Sequence, residues 1–196
     1  AVNKPAGLLS QPGRLKENHD SLFTRLQSRY TNPYLTHRLD LDTSGLMLIA
    51  LNKAAAGELG KLFERRQISK HYIALVDGLV GADNGVIELP LIADWPNRPL
   101  QKVCFETGKT AKTEYQVLER LKAKQRTRLK LMPHTGRSHQ LRVHCAEIGH
   151  PIIGCDMYAP DAVCYGGERL YLHAEGLSFV HPFTNEPLTL VSPTPF

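Results

Sequence analysis

Apolar positions along the chain follow two periods. Spaced by three or four residues, they mark helices. Leu22 and Leu26, with Phe23 beside them, predict a helix over residues 16–30. The helix-forming residues of 54–66, ending in basic side chains, predict a second. A third is predicted over 140–148, stopped by Gly149. Elsewhere the apolar residues alternate or run together, as strands do. Residues 46–51, LMLIAL, form an unbroken apolar run that suits a buried strand. Segments 72–76, 86–89, 113–118, 126–132, 170–173 and 188–191 also read as strands, and the DWPNRP stretch, 94–99, reads as an irregular loop. Strands outnumber helices and often follow one another directly, which predicts an α+β domain with a mainly antiparallel sheet. The sequence contains no internal repeat and no low-complexity linker.

Composition leaves that picture unchanged. The 196 residues, 42% hydrophobic and 22% charged, suffice for one sizeable core, and a single domain over residues 1–196 is expected. No apolar stretch reaches the length of a membrane span, and no signal peptide is visible. The opening Ala-Val-Asn-Lys-Pro reads as the tail of a strand, so a truncated N-terminal strand is expected. The four cysteines, Cys104, Cys145, Cys155 and Cys164, form no CxxC pair; reduced thiols in a cytoplasmic protein are the simplest reading. The net charge of +5 fits an anionic partner such as nucleic acid.

Candidate chemistry concentrates in HRLDLDTSG, residues 37–45. Asp40, Asp42, Ser44 and Gly45 open like a calcium loop, but the closing ligand position falls on Leu51, which has no side-chain oxygen. The apolar run between them also belongs to a strand. His134, His139 and His144 recur every five residues, about 140° apart on a helix, so they share no metal-binding face. No metal and no other cofactor is expected.

HRLDLDTSG, SKHYIALVDG and PHTGRSHQLRVH together resemble the RluA-type RNA pseudouridine synthases. The likeness extends from NKPAGLLSQPGR through LIADWPNRPLQKV and KTAKTEY to LHAEGL, nearly the whole chain. It implies the pseudouridine synthase fold, an antiparallel sheet with helices and loops around a central RNA-binding cleft. The S4 RNA-binding domain that many relatives carry is not expected within these residues. The resemblance further implies a cofactor-free isomerase acting on uridines in stem-loops of 23S ribosomal RNA and of the tRNA anticodon arm, working as a monomer without an obligatory protein partner.

The resemblance places the catalytic carboxylate on Asp40. Moving uracil from an N–C to a C–C glycosidic bond calls for a carboxylate acting as nucleophile or base. On the residues alone, a turn or cap role for Asp40 stands equally open, and Asp42 reads as a turn former. Arg137 is expected to hold the acid ionised, its alternative being a phosphate contact. Tyr72 is implied to lie against the uracil, where its hydroxyl could also take a proton; alone it would be an ordinary strand tyrosine. Leu172 is implied to pack on the base, and otherwise reads as a core leucine. His37, Arg38 and Thr43 are expected to meet RNA around the acid, with Arg38 filling the space that an extruded base vacates. Trp95, Arg98, Lys102 and Arg142 are expected as further RNA contacts, with Lys109, Lys112 and Lys124 as candidate phosphate partners. Two rival functions remain: a non-catalytic RNA-binding or RNA-chaperone protein of this fold, and a glycoside hydrolase pairing Asp40 with Glu58 or Glu114. No second acid lies in a comparable motif.

Overall fold

The computed structural model describes residues 1–196. Along the chain run β1 (Val2–Lys4), α1 (Leu22–Gln27), β2 (Tyr34–Leu35), β3 (Ser44–Met47), β4 (Ile49–Ala50), α2 (Lys53–Glu64) and β5 (Ser69–Asp77). There follow β6 (Asn84–Glu88), β7 (Leu91–Ala93), β8 (Gln101–Val103), β9 (Lys112–Leu121), β10 (Arg126–Pro133), α3 (Gln140–Glu147), α4 (Asp161–Cys164), β11 (Leu172–Val180) and β12 (Pro187–Val191). The elements form two compact units: Ala1–Lys70 with His173–Pro195, and His71–Leu172 with Phe196. In sequence, the second unit is therefore an insertion into the first. No helix is long and apolar enough to cross a membrane.

In the first unit, β3 pairs antiparallel with β1 and parallel with β11, and β12 lies antiparallel on β11. Gly45 sits at the centre of this arrangement, opposite Lys4 on one side and Ala174 on the other. Its φ is +118°, and a β-carbon there would lie 2.3 Å from the Ala174 carbonyl oxygen and 2.5 Å from its nitrogen. No side chain can occupy that space, which explains the glycine of TSG. The core beneath is Leu46, Leu48, Ile68, Leu177 and Phe179. Helix α2 covers it with half-buried Leu59, Leu62 and Phe63, at the spacing of one helical face.

Three predicted elements differ from expectation, the strand over 170–173 being the start of the longer β11. The helix over 16–30 is confined to α1, because Ser21 and Thr24 form a capping box that starts the helix there. The strand over 46–51 divides at Leu48. The Leu48 N–H donates to His37 Nε2 (2.9 Å), and its carbonyl accepts from Thr36 Oγ1 (2.7 Å), so side chains take the place of a strand partner.

The second unit is an antiparallel sheet in the order β5-β10-β9-β6. Alternate residues of β10, Thr127, Leu129 and Leu131, are buried. Leu129 and Leu131 pack with Ala74, Val76, Leu141, Ile152 and Leu170 in the main core of the unit. The short hairpin β7–β8, absent from the sequence-based expectation, presents the DWPNRP loop at its tip. The mainly antiparallel α+β class is as expected; β3–β11 is a parallel exception.

Gly45→Ala should destabilise the fold by about 3 kcal/mol or more, combining left-handed strain with overpacking against backbone. Urea denaturation measures this loss.

Candidate active site

Three buried polar side chains shape the Asp40 loop within the first unit. Lys4 is fully buried, and its ammonium donates to the carbonyls of Pro5 (3.0 Å), Leu8 (2.7 Å) and Leu41 (2.8 Å). Ser10 binds both backbone groups of Leu39: its hydroxyl donates to the carbonyl (2.7 Å) and accepts from the N–H (3.1 Å). The residues before and after Asp40 are thus pinned, by Ser10 and by Lys4. Leu39 is buried and Leu41 exposed, while Asp40 between them is half-buried. Just downstream, His173 Nε2 faces the Ser192 carbonyl (2.9 Å) and must carry its proton there. Its Nδ1 therefore accepts from the Ser44 hydroxyl (2.7 Å), locking the start of β3 to the start of β11.

His37 belongs to this framework and is not a cation for RNA. Its ring lies 4.4 Å from that of Phe63, and its Nε2 is occupied by the Leu48 N–H. Burial, with Lys70 nearby, pushes its pKa down to about 3, so the ring is neutral. Thr43 is only 3% exposed, which corrects the expectation that it meets RNA. Arg38 is exposed beside the acid, as an RNA contact requires.

The other expected residues belong to the second unit. Tyr72 is half-buried and packs on the cluster that contains buried Leu172. Arg137 is also half-buried, and its Nε donates to the Thr110 carbonyl (3.1 Å). Buried Gln140 fixes the TGR turn. Its Oε1 accepts from the Thr135 hydroxyl (2.7 Å) and the Arg137 N–H (3.0 Å), and its Nε2 donates to the Lys112 carbonyl and the Thr113 hydroxyl, both at 3.0 Å. On the hairpin tip, the Arg98 guanidinium stacks 3.9 Å from the Trp95 ring centroid, and Trp95 is 68% exposed. Lys102 bonds Asp94 (3.0 Å), and hydrogen bonds from Asn97 and then Lys102 hold the Asp94 carboxyl below its usual range. Trp95, Arg98 and Lys102 therefore share one exposed arm.

Arg142 is a correction. Its side chain is 2% exposed, with Nη2 on Asp156 (2.6 Å) and Nε on Cys155 Sγ (3.3 Å), so it braces the core and offers no surface charge to phosphate. Lys112 pairs with Glu88 at 2.7 Å. The three histidines weighed for metal are each engaged separately: His134 with Glu114, His139 with Tyr158, His144 with Thr113 and Leu89. Sequence reading passed over Lys4, Ser10, Gln140 and His173, the residues that hold the loops. Their only signal was position, each lying within or beside a motif.

The sequence and the fold match known proteins. Residues 1–147 fit the family model described as RNA pseudouridylate synthase, and the chain belongs to that family. The dual-specificity RNA pseudouridine synthase RluA of Vibrio parahaemolyticus is 55% identical over 185 residues, covering 93% of this chain and 74% of that protein. The protein of the same description from Escherichia coli K12 is 50% identical over 195 residues, covering 100% and 89%. Among solved structures, human RNA pseudouridylate synthase domain containing 1 superposes with a TM-score of 0.82 at 31% identity, covering all of this chain and 79% of that one.

The depressed pKa of His37 has a consequence for stability. Below pH 6.5 the unfolded chain binds a proton that the folded ring excludes until about pH 3. Stability should therefore fall as pH drops through that window, by about 2 kcal/mol between pH 6.5 and 5. His37→Gln keeps an acceptor for Leu48 but cannot titrate. Urea denaturation at pH 7 and pH 5 should show a smaller acid loss in the variant than in the wild type.

Proposed function

We infer that this chain isomerises uridine to pseudouridine in RNA, with Asp40 as its catalytic acid. The observation that carries the assignment is the clamping of Leu39 and Leu41, which orients the residue between them while leaving its carboxylate half-exposed. The reaction breaks the bond between uracil N1 and the sugar C1′, turns the ring, and joins C5 to the same carbon. The proton lost from C5 balances the one gained at N1. No electrons enter or leave, so the chemistry calls for no redox partner. Asp40 acts at the sugar as nucleophile or base. Tyr72 is assigned to the uracil ring, and Arg137 to the negative charge that gathers when RNA is bound.

The substrate proposed is a stem-loop, in 23S ribosomal RNA and in the tRNA anticodon arm. The relatives described as dual-specificity enzymes support this reading. A uridine stacked in such a loop must be extruded, at about a few kcal/mol. Arg38 is exposed next to Asp40 and suits the vacated space. The stacked Trp95–Arg98 pair offers a flat, charged face to splayed bases. We propose that the enzyme works as a cytoplasmic monomer. The free thiols of buried Cys145 and Cys155 agree with a reducing compartment.

Asp40→Asn should lower pseudouridine formation on a cognate stem-loop by at least about a thousandfold. Fold and RNA affinity should stay near wild type. Mapping pseudouridine after incubation with total cellular RNA tests the loss and identifies the substrates, and a fully active variant would remove Asp40 from the mechanism. Arg38→Ala should slow single-turnover conversion of the cognate stem-loop more than it weakens binding to a scrambled one. Equal affinity losses with an unchanged rate would make Arg38 an ordinary phosphate contact.

A further inference from the structure

Lys70 lies at the start of β5, in the same unit as the Asp40 loop, and close enough to His37 to depress that ring's pKa. Burial holds the lysine itself below its usual range, with no carboxylate opposing the shift. Its ammonium has no hydrogen bond and no ion pair. Lys70 is half-buried, and in lacking partners it differs from Lys4, fully buried but served by three carbonyls, and from Lys102 and Lys112, which face acids. A desolvated cation without a partner is costly, and folds seldom keep one idle. The site is not sealed: Thr194 Oγ1 is the sole side-chain polar atom both closed off from solvent and unpartnered, so Lys70 Nζ retains an opening. His37, whose pKa Lys70 helps to depress, is neutral and cannot serve as its counter-ion.

We propose that Lys70 is a binding residue for an RNA backbone phosphate, its recessed ammonium taking the phosphate when the strand is laid beside the Asp40 loop. The proposal rests on the reading of the chain as an RNA-modifying enzyme and adds a contact to it. A phosphate supplies the acceptors and the negative charge that the protein withholds from this lysine. Recession also makes the contact selective. An exposed lysine meets any phosphate that passes, whereas Lys70 requires a strand seated close to the loop.

The test uses the full chain with a stem-loop RNA that the wild type converts. Lys70→Met keeps the aliphatic stem and removes the charge; Lys70→Arg restores a charge. Lys70→Met should bind the stem-loop about tenfold more weakly, and its log affinity should depend on log salt with a slope shallower by about 0.7–0.9, one phosphate contact. Lys70→Arg should recover part of both. Replacing single phosphates of the stem-loop by neutral methylphosphonates should reveal one position whose neutralisation weakens the wild type but not Lys70→Met. If Lys70→Met melts at or above the wild-type temperature, its loss of affinity is not unfolding. If it melts lower, the arginine variant and the methylphosphonate comparison still decide. Unchanged affinity and slope in Lys70→Met, or methylphosphonate penalties identical in both proteins at every position, would overturn the proposal. A wild type that forms no pseudouridine in any stem-loop would instead overturn the functional reading beneath it.

Discussion

The Lys4 ammonium is the constraint around which the Asp40 loop is arranged. A lysine with no exposed surface cannot remain charged unless the protein replaces its water, and the donated bonds to Pro5, Leu8 and Leu41 do so. Pro5 and Leu8 flank one turn and Leu41 lies far along the chain, so solvating the ion draws the two segments together. Leu41 is drawn inward at its backbone while its side chain points to solvent. Ser10 performs the neutral version of the same task on Leu39. The acid between them inherits its position from its neighbours and stays half-buried. Removing the Lys4 ammonium would take a donor from three carbonyls.

The second unit uses the same logic with an amide. Gln140 occupies all its hydrogen-bonding atoms on Thr135, Arg137, Lys112 and Thr113, and so ties the TGR turn to strand β9. Residues 140–145 of α3 are all buried, so the helix is less an amphipathic cover than a polar-jointed strut. Arg142 and His144 complete it through Asp156, Thr113 and the Leu89 carbonyl. Networks of this kind are worthwhile only when every member is satisfied.

These buried polar residues mark where sequence reading stopped. The apolar pattern located β5, β9 and β10, while α2 showed in its helix-forming residues and β11 only at its start. It overextended α1, where the capping pair Ser21 and Thr24 sets the start, and it missed β7–β8, whose three-residue strands are too short to show a period. Asp40, Arg38 and Arg137 stand out because charged residues in a motif attract a functional reading. Arg142 stands out for the same reason and misleads, since nothing local distinguishes an arginine that will be buried against a carboxylate from one that will meet solvent. Lys4 and Gln140 were passed over for the converse reason: each is held in part by backbone groups, which every sequence contains and none advertises.

The pairing of β3 with β11 has a consequence for synthesis on the ribosome. Ser44 and His173 are 129 residues apart. At about 5–20 residues per second, on the order of ten seconds separates their emergence. During that interval the inserted second unit can fold from local antiparallel contacts, while β3 has β1 on one edge and nothing on the other. The nascent chain thus carries its acid long before it carries the strand that fixes the loop behind it. A partly made polypeptide therefore lacks the frame behind the Asp40 loop until its last strands have emerged.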